Sequence, residues 1–346
     1  MAAIRVFYFP YTPDGLGPAD RRRFGRWCSV RKHQIVGIND RNIQLAVLTP
    51  KGLYLAPYFA KRKIPIILDI VDAQNLLSHW GRDLARGLSN KRSGNILPIF
   101  PIKFSSIIRN NLKFVHTVVV ANPEQQYLYN NFARTTYILD SHSEIPMLDV
   151  NLNRPRGALF WEGLPYTWKE VFPLFAEIQK SFEGDNFILN IVTSEKYKSL
   201  TRPRGFHSSR MQTATYEKKY GFKTNFYPWN LQNLLEAAQV SEFGLLPVGN
   251  QKEMFLKAEN RLLIMWRLGL PTLFSNTPAY SRVSSLSGVT SGKCESAQDW
   301  LDCISEWRKN PTLAIRQVEL GQSYIKQMHS EENFLQKWDN LVNETQ

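Results

Sequence analysis

Only 3 cysteines occur in the 346 residues. Cys28, Cys294 and Cys303 have no accompanying histidines at ligand spacing, so neither a zinc site nor a disulfide framework is present. The thiols read as structural residues of a reducing compartment. No apolar run approaches the roughly 20 residues that a spanning helix needs. The start, MAAIRVFYFPYTPDG, has neither the charged beginning nor the long apolar middle of a signal peptide, which makes the expected location cytoplasmic. The phosphate loop G-x-x-x-x-G-K-[ST], the metalloprotease H-E-x-x-H and the nucleophile elbow G-x-S-x-G are all missing. So is an Asp-x-Asp pair for a divalent cation. The nearest acidic pairs, Asp69/Asp72 and Asp299/Asp302, are D-x-x-D. Zinc-finger, RRM and KH signatures are absent as well, which argues against a specific nucleic-acid partner.

Positive charge is abundant. The net charge of +13 comes largely in clusters: RRRFGRWCSVRK at 21–32, KRK at 61–63 and KYKSLTRPR at 196–204. One such cluster is ordinarily a solvated face. Several together favour an anionic partner, either a soluble anionic substrate or an anionic membrane surface.

Short β-branched and aromatic runs recur at 4–10, 33–38, 43–50, 65–71, 116–122 and 136–139, with helical stretches at 18–31, 74–88, 101–113 and 123–132. After a polar, two-proline stretch at 140–156 the alternation resumes. Strands are expected at 157–163, 186–194, 224–229, 242–248 and 271–276, and helices at 167–182, 208–220, 230–239, 255–268 and 296–309. A helical tail covers 311–344. Near-continuous apolar strands alternating with helices predict parallel sheets covered on both faces. The expected class is therefore α/β, with two doubly wound, Rossmann-like domains facing a cleft. Domain limits fall at 1–150 and 151–325, followed by a terminal helix at 326–346. In such sheets ligands sit at the carboxyl ends of the strands.

Within that frame, DGLGPAD after the first strand offers Gly15 and Gly17 as a backbone loop approaching a ligand, the alternative being a tight turn into a helix capped by Asp14 or Asp20. Asp69 and Asp72, near the end of strand 65–71, are candidates for taking a proton from an acceptor hydroxyl. Asp72 also suits the cap of a helix at 74–88, with His79 inside that helix; His116 reads as structural.

Three stretches of the second half resemble the GT-B glycosyltransferases. GALFWEGLPYTWKEVFPLFAEI is similar to the start of their C-terminal domain, and FYPWNLQNLLEAAQVSEFGLLPV to the next landmark. KAENRLLIMWRLGLPTLF resembles their K-x-x-N-[KR]-L…G-x-P segment. The likeness spans about 157–344; in the first half it extends only to strand order and ILDIVDA. It implies a sugar transfer from a nucleotide-diphosphate donor, UDP- or GDP-linked, to a hydroxyl of a glycan or lipid-linked acceptor. The activity is of the hexosyltransferase type, without metal or other cofactor, and the setting is cytoplasmic or peripheral to the inner membrane face. Gly163, Lys169, Arg202, Lys257, Asn260 and Arg261 are the implied donor and phosphate-binding residues, with Arg204 and Trp229 nearby. The helix N-terminus near Asn260 would face the pyrophosphate. Two positions depart from the pattern: Ile264 and Leu256 stand where relatives carry glutamates, leaving Glu259 or Glu253 as substitutes. Those departures keep a non-catalytic binding or scaffold protein of the same fold as the alternative.

Overall fold

The computed structural model describes residues 3–72, 76, 80–92, 103–151, 153–182, 185–198, 206–249 and 251–346. The chain forms two compact units. The first comprises Met1–Ser143, Asn250–Ala258 and Met328–Gln346; the second comprises Glu144–Gly249 and Glu259–Gln327.

The first unit is built on β1 (Arg5–Phe9), β2 (Gln34–Ile35), β3 (Leu45–Leu48), β4 (Ile66–Ile70), β5 (Thr117–Val120) and β6 (Arg134–Tyr137). They form one parallel sheet in the order β2-β1-β3-β4-β5-β6. Every residue of β3, β4 and β5 is buried, which is why these strands read as unbroken apolar runs instead of alternating ones. The tail helix Glu331–Thr345 belongs to this unit. Its Trp338 meets Phe24 edge-on at 5.3 Å, and Asp339 accepts from the Trp27 indole N–H at 2.8 Å.

The second unit holds β7 (Ala158–Glu162), β8 (Ile188–Thr193), an antiparallel pair β9 (Lys196–Lys198) and β10 (Phe206–Ser208), β11 (Lys223–Pro228), β12 (Phe243–Leu246), β13 (Thr272–Ser275) and β14 (Lys293–Cys294). Its six-stranded sheet runs β11-β8-β7-β12-β13-β14, all parallel. Strand succession therefore reverses between β7 and β12, the switch point at which doubly wound sheets open a crevice. Trp161, Trp168, Phe172, Phe175 and Trp307 fill the core on one face.

Several local expectations need correction. The helix expected over 18–31 is two, Pro18–Arg22 and Phe24–Val30, parted at Arg23, whose side chain turns into the core. The segment 123–132 is a 3-10 turn, Pro123–Leu128. The helix at 255–268 divides into Lys252–Phe255 and Asn260–Arg267, and the tail into Pro311–Met328 and Glu331–Thr345, the latter capped by Ser330. Residues Pro278–Ser287, for which no element was expected, form a helix capped by Thr277. The polar stretch 140–156 is stitched down on both sides of the unit boundary. Ser141 N–H donates to Arg22 O at 2.7 Å in the first unit; Leu148 N–H donates to Arg267 O at 2.7 Å in the second. Its polarity signalled hydrogen bonding to the body of each unit.

No helix among the described residues is long and apolar enough to cross a membrane. The basic run at 21–32 is largely spent inside the first unit. Arg23 is fully buried, Arg26 pairs with Glu331 at 2.5 Å, and Arg31 pairs with Glu332 and Asp339. Much of the charge expected to face an anionic surface instead fastens the acidic tail helix.

Candidate functional site

The carboxyl edge of the second unit's sheet gathers the expected residues that the structure brings together. β7 ends in the turn at Gly163, whose carbonyl accepts from Thr193 Oγ1 at 2.7 Å and whose N–H donates to Val192 O at 3.2 Å. Arg261, in the first turn of the helix after β12, donates from Nη1 to Glu162 O at 3.2 Å. A methyl added to Gly163 would lie 3.0 Å from that nitrogen and 2.6 Å from the Trp161 ring, so only glycine lets the strand end lie under the guanidinium. On the other flank, a methyl on Gly249 would lie 2.4 Å from Glu170 Oε1, so the loop after β12 runs directly against the helix after β7. The two loops of the switch point thus meet through Gly163, Arg261, Glu170 and Gly249.

The helices that start at this edge differ in how they are capped. The helix Ser209–Tyr220 is capped by Ser208, Leu231–Gln239 by Asn230 and Pro278–Ser287 by Thr277, each side chain accepting a first-turn N–H. The two at the switch point, Trp168–Ser181 and Asn260–Arg267, have no side-chain cap hydrogen bond. In Asn260–Arg267 the first turn and the positive end of the dipole are left for an external acceptor, whereas Trp168 N–H donates to Pro165 O of the preceding 3-10 turn Pro165–Thr167. Lys169 is the second residue of one of these helices; its side chain lies outside the described part.

Sequence reasoning missed Arg282 and Tyr280 here, and offered Glu259 only as a substitute for the glutamates absent at Ile264 and Leu256. Glu259 occupies the N-cap position of Asn260–Arg267, buried, with its carboxylate paired to Arg282 at 2.9 Å. Buried Tyr280 lies against Arg261: burial pushes its phenol above the usual range, and the guanidinium opposes that shift. The signal for Arg282 and Tyr280 was faint because their helix was not foreseen. Asn260, expected as a cap, is the first helical residue, and its Oδ1 is buried without a hydrogen-bond partner. Ile264 is buried among Leu262, Leu263, Met265 and Trp266. It replaces the expected glutamate with a core side chain.

Lys257 is not part of this helix. Its N–H donates to Met254 O at 3.2 Å in the preceding short helical turn, and 250–258 is allotted to the first unit. Leu256 O anchors that segment there by accepting from Gln125 at 3.0 Å and Asn122 at 3.3 Å. Arg202, Arg204 and His79 lie outside the described residues, as does the side chain of Glu253.

In the first unit, Asp69 cannot serve as a base. Its carboxylate is fully buried and both oxygens are held by Arg23, which also reaches Ile138 O and Asp140. Although burial works against the Arg23 charge, Asp69 and Asp140 hold its pKa above the ordinary value. Asp72, beyond the end of β4, is half-buried and lies near the Tyr129 phenol, which burial pushes up and the Asp72 charge pushes further. The Gly15–Gly17 loop is a tight turn into the helix Pro18–Arg22, whose N-cap is Gly17 with no side-chain cap from Asp14 or Asp20. Gly15 N–H donates to Thr12 O, Leu16 N–H to Asp14 and Gly17 N–H to Thr12 Oγ1, so its amides are engaged within the loop. Asp20 organises it, accepting from Tyr8, Tyr11 N–H and Thr12.

No protein-family model and no curated protein matches the sequence. Solved structures do. HepE from Anabaena, solved with UDP and glucose, superposes with a TM-score of 0.65 at 11% identity, covering 99% of this chain and 100% of that one. The chain has the GT-B fold. WaaG, a glycosyltransferase involved in lipopolysaccharide biosynthesis, gives 0.56 at 12% identity over 98% and 99% of the two GT-B chains. TarM from S. aureus, solved with UDP, gives 0.57 at 12% identity; the match covers 86% of this chain but only 55% of TarM, about half its length.

Proposed function

We propose that this chain is a glycosyltransferase that moves a sugar from a nucleotide-diphosphate donor to a hydroxyl of a glycan or lipid-linked acceptor. The observation that carries the reading is the capping difference. Only at the switch point do the helices at the carboxyl edge leave their first turns without side-chain caps, and there Arg261 supplies positive charge. A pyrophosphate placed there would meet N–H donors and helix dipoles, and its developing negative charge would be stabilised as the sugar leaves. UDP in the structural neighbours HepE and TarM agrees with a nucleotide ligand.

Asn260 Oδ1 is the acceptor available for a donor hydroxyl, in place of the glutamate that Ile264 removes. Lys169 and Arg202 are proposed as further phosphate contacts. Asp72 is the proposed base, since Asp69 is committed to Arg23. The transfer is proposed to need no metal, as the resemblance to the GT-B glycosyltransferases implies.

Calorimetric titration of UDP, GDP, CDP and ADP, with and without EDTA, tests this reading. Saturable binding of one diphosphate, unaffected by EDTA and weakened in Arg261→Ala, is expected. Failure of all four to bind the folded chain would leave a non-catalytic GT-B binding protein, the reading that Ile264 favours.

A further inference from the structure

We propose that the opposite, amino-terminal edge of the second unit's sheet holds a second ligand site, a pocket for a small phosphate ester. This does not rest on the transferase reading. The pocket is a cavity of about 230 Å³ lined by Asn151, Arg154, Arg156, Phe243, Trp307 and Arg308. Phe243 opens β12, and Pro271, also in the wall, immediately precedes β13. The cavity is therefore at the end of the strands away from Gly163 and Gly249.

The charges around it do not balance. Glu242 is the one carboxylate among the described lining residues, and Arg308 occupies it from both Nε and Nη2 at 2.8 Å. Glu242 also accepts the Gly157 N–H at 2.6 Å, and Arg308 takes Asp185 as a second partner. That ion group is complete in itself. Arg156 comes no nearer than 3.8 Å to Asp185, and its side chain is 70% exposed.

Arg154 has no carboxylate partner among the described residues. It reaches only two carbonyls, Ser241 O at 3.4 Å and Leu268 O at 3.3 Å, and its Nε is buried with no acceptor. Burial alone pulls the group down to about 10, as expected for a guanidinium that no anion compensates. It is still charged at neutral pH, and a buried charge without a counter-ion is costly.

One further donor faces the same need. Trp307 is 1% exposed and lines the cavity, and its indole N–H is buried without an acceptor. The 18-residue helix Pro311–Met328 starts at the wall, contributing Pro311 and Ala314, so the positive end of its dipole adds to the field. A guanidinium fork matches the paired oxygens of a phosphate. The cavity exceeds the space of a phosphate alone, and Phe243, Pro271 and Trp307 give the remainder an apolar wall that suits an organic body.

The test uses the full chain and two probes, inorganic phosphate and glucose 1-phosphate, followed by calorimetry and ³¹P line broadening in sulfate-free buffer. Both probes are expected to saturate one site, the ester more tightly, and saturating UDP should displace neither. Arg154→Met and Arg156→Met should each weaken both probes by at least about tenfold while UDP titrations stay as in the native chain. Should Arg154→Met fail to fold, Arg156→Met decides alone, since its side chain projects into solvent. Absence of saturable binding, displacement by UDP, or unchanged affinity in the folded variants would overturn the site. Equal affinity for both probes would overturn the organic body and retain a pocket for phosphate only.

Discussion

Arg23 grips both oxygens of Asp69 at 2.5 to 3.1 Å, and neither side chain has any exposed surface. Such a pair is held in place by what its loss would leave behind, a buried charge with no partner. Asp69→Ala is therefore expected to destabilise the first unit by about 3–5 kcal/mol. Urea unfolding followed by circular dichroism measures it. A loss below about 1 kcal/mol would show that water reaches Arg23 and that Asp69 is available for chemistry after all.

Asp72 should behave in the opposite way. Asp72→Asn is expected to leave the melting temperature close to native and UDP affinity intact, while turnover falls by about 10² to 10⁴. Unchanged turnover would remove Asp72 from the proposed mechanism.

Arg261 donates to Glu162 O at 3.2 Å and also bonds the buried Tyr280 phenol, so its replacement removes two contacts at the start of the helix. Arg261→Ala is expected to weaken UDP by about 10- to 100-fold, the worth of a charge-assisted hydrogen bond. Gly163→Ala should do likewise by pushing a methyl against the same guanidinium. Calorimetry on both variants reads the effect, and native affinity in both would move the phosphate site elsewhere.

Two glycines with left-handed backbones should separate conformational cost from crowding. Gly221 has φ +74° with nothing within 4 Å of an added methyl; Gly269 has φ +63°, with Asp149 O only 2.4 Å away. Gly221→Ala should cost about 1–2 kcal/mol. Gly269→Ala must also move backbone, and its cost is expected to exceed that of Gly221→Ala by at least about 1 kcal/mol, read as a shift in urea midpoint at constant slope.

His33 gives the first unit a pH dependence. Its Nδ1 accepts the Ile4 N–H at 3.2 Å, and its ring stacks near Trp27 at 4.1 Å. Burial, the largest cause, pulls its pKa below the ordinary 6.5. The unfolded chain therefore binds the proton more readily than the folded one. Its contribution to stability is complete above 6.5 and is lost as pH falls through and below that value. Denaturation midpoints between pH 7.5 and 5 should fall in the native chain and fall less in His33→Gln. Parallel slopes would assign the pH dependence to other groups.

Most of the strand plan was legible in the chain. Inner strands of a parallel sheet are buried on both faces, so β3, β4 and β5 had to be uninterrupted apolar runs. Likewise Gly269 and Pro271 had to close the helix that Asn260 opens. Breaks such as those at Arg23 and between Phe255 and Asn260 were illegible, because they are set by partners distant in sequence: Asp69 for one, Asn122 and Gln125 for the other. The same holds for function. The resemblance to the GT-B glycosyltransferases singled out Gly163 and Arg261, because the strand-end turn and the head of the helix lie inside the stretches that carry it. Only the tertiary structure could withdraw Asp69, by burying it under Arg23. Only it could reveal Arg282 and Tyr280, or leave Arg154 charged beside a cavity, because charge compensation depends on which groups the folded chain brings within hydrogen-bond reach.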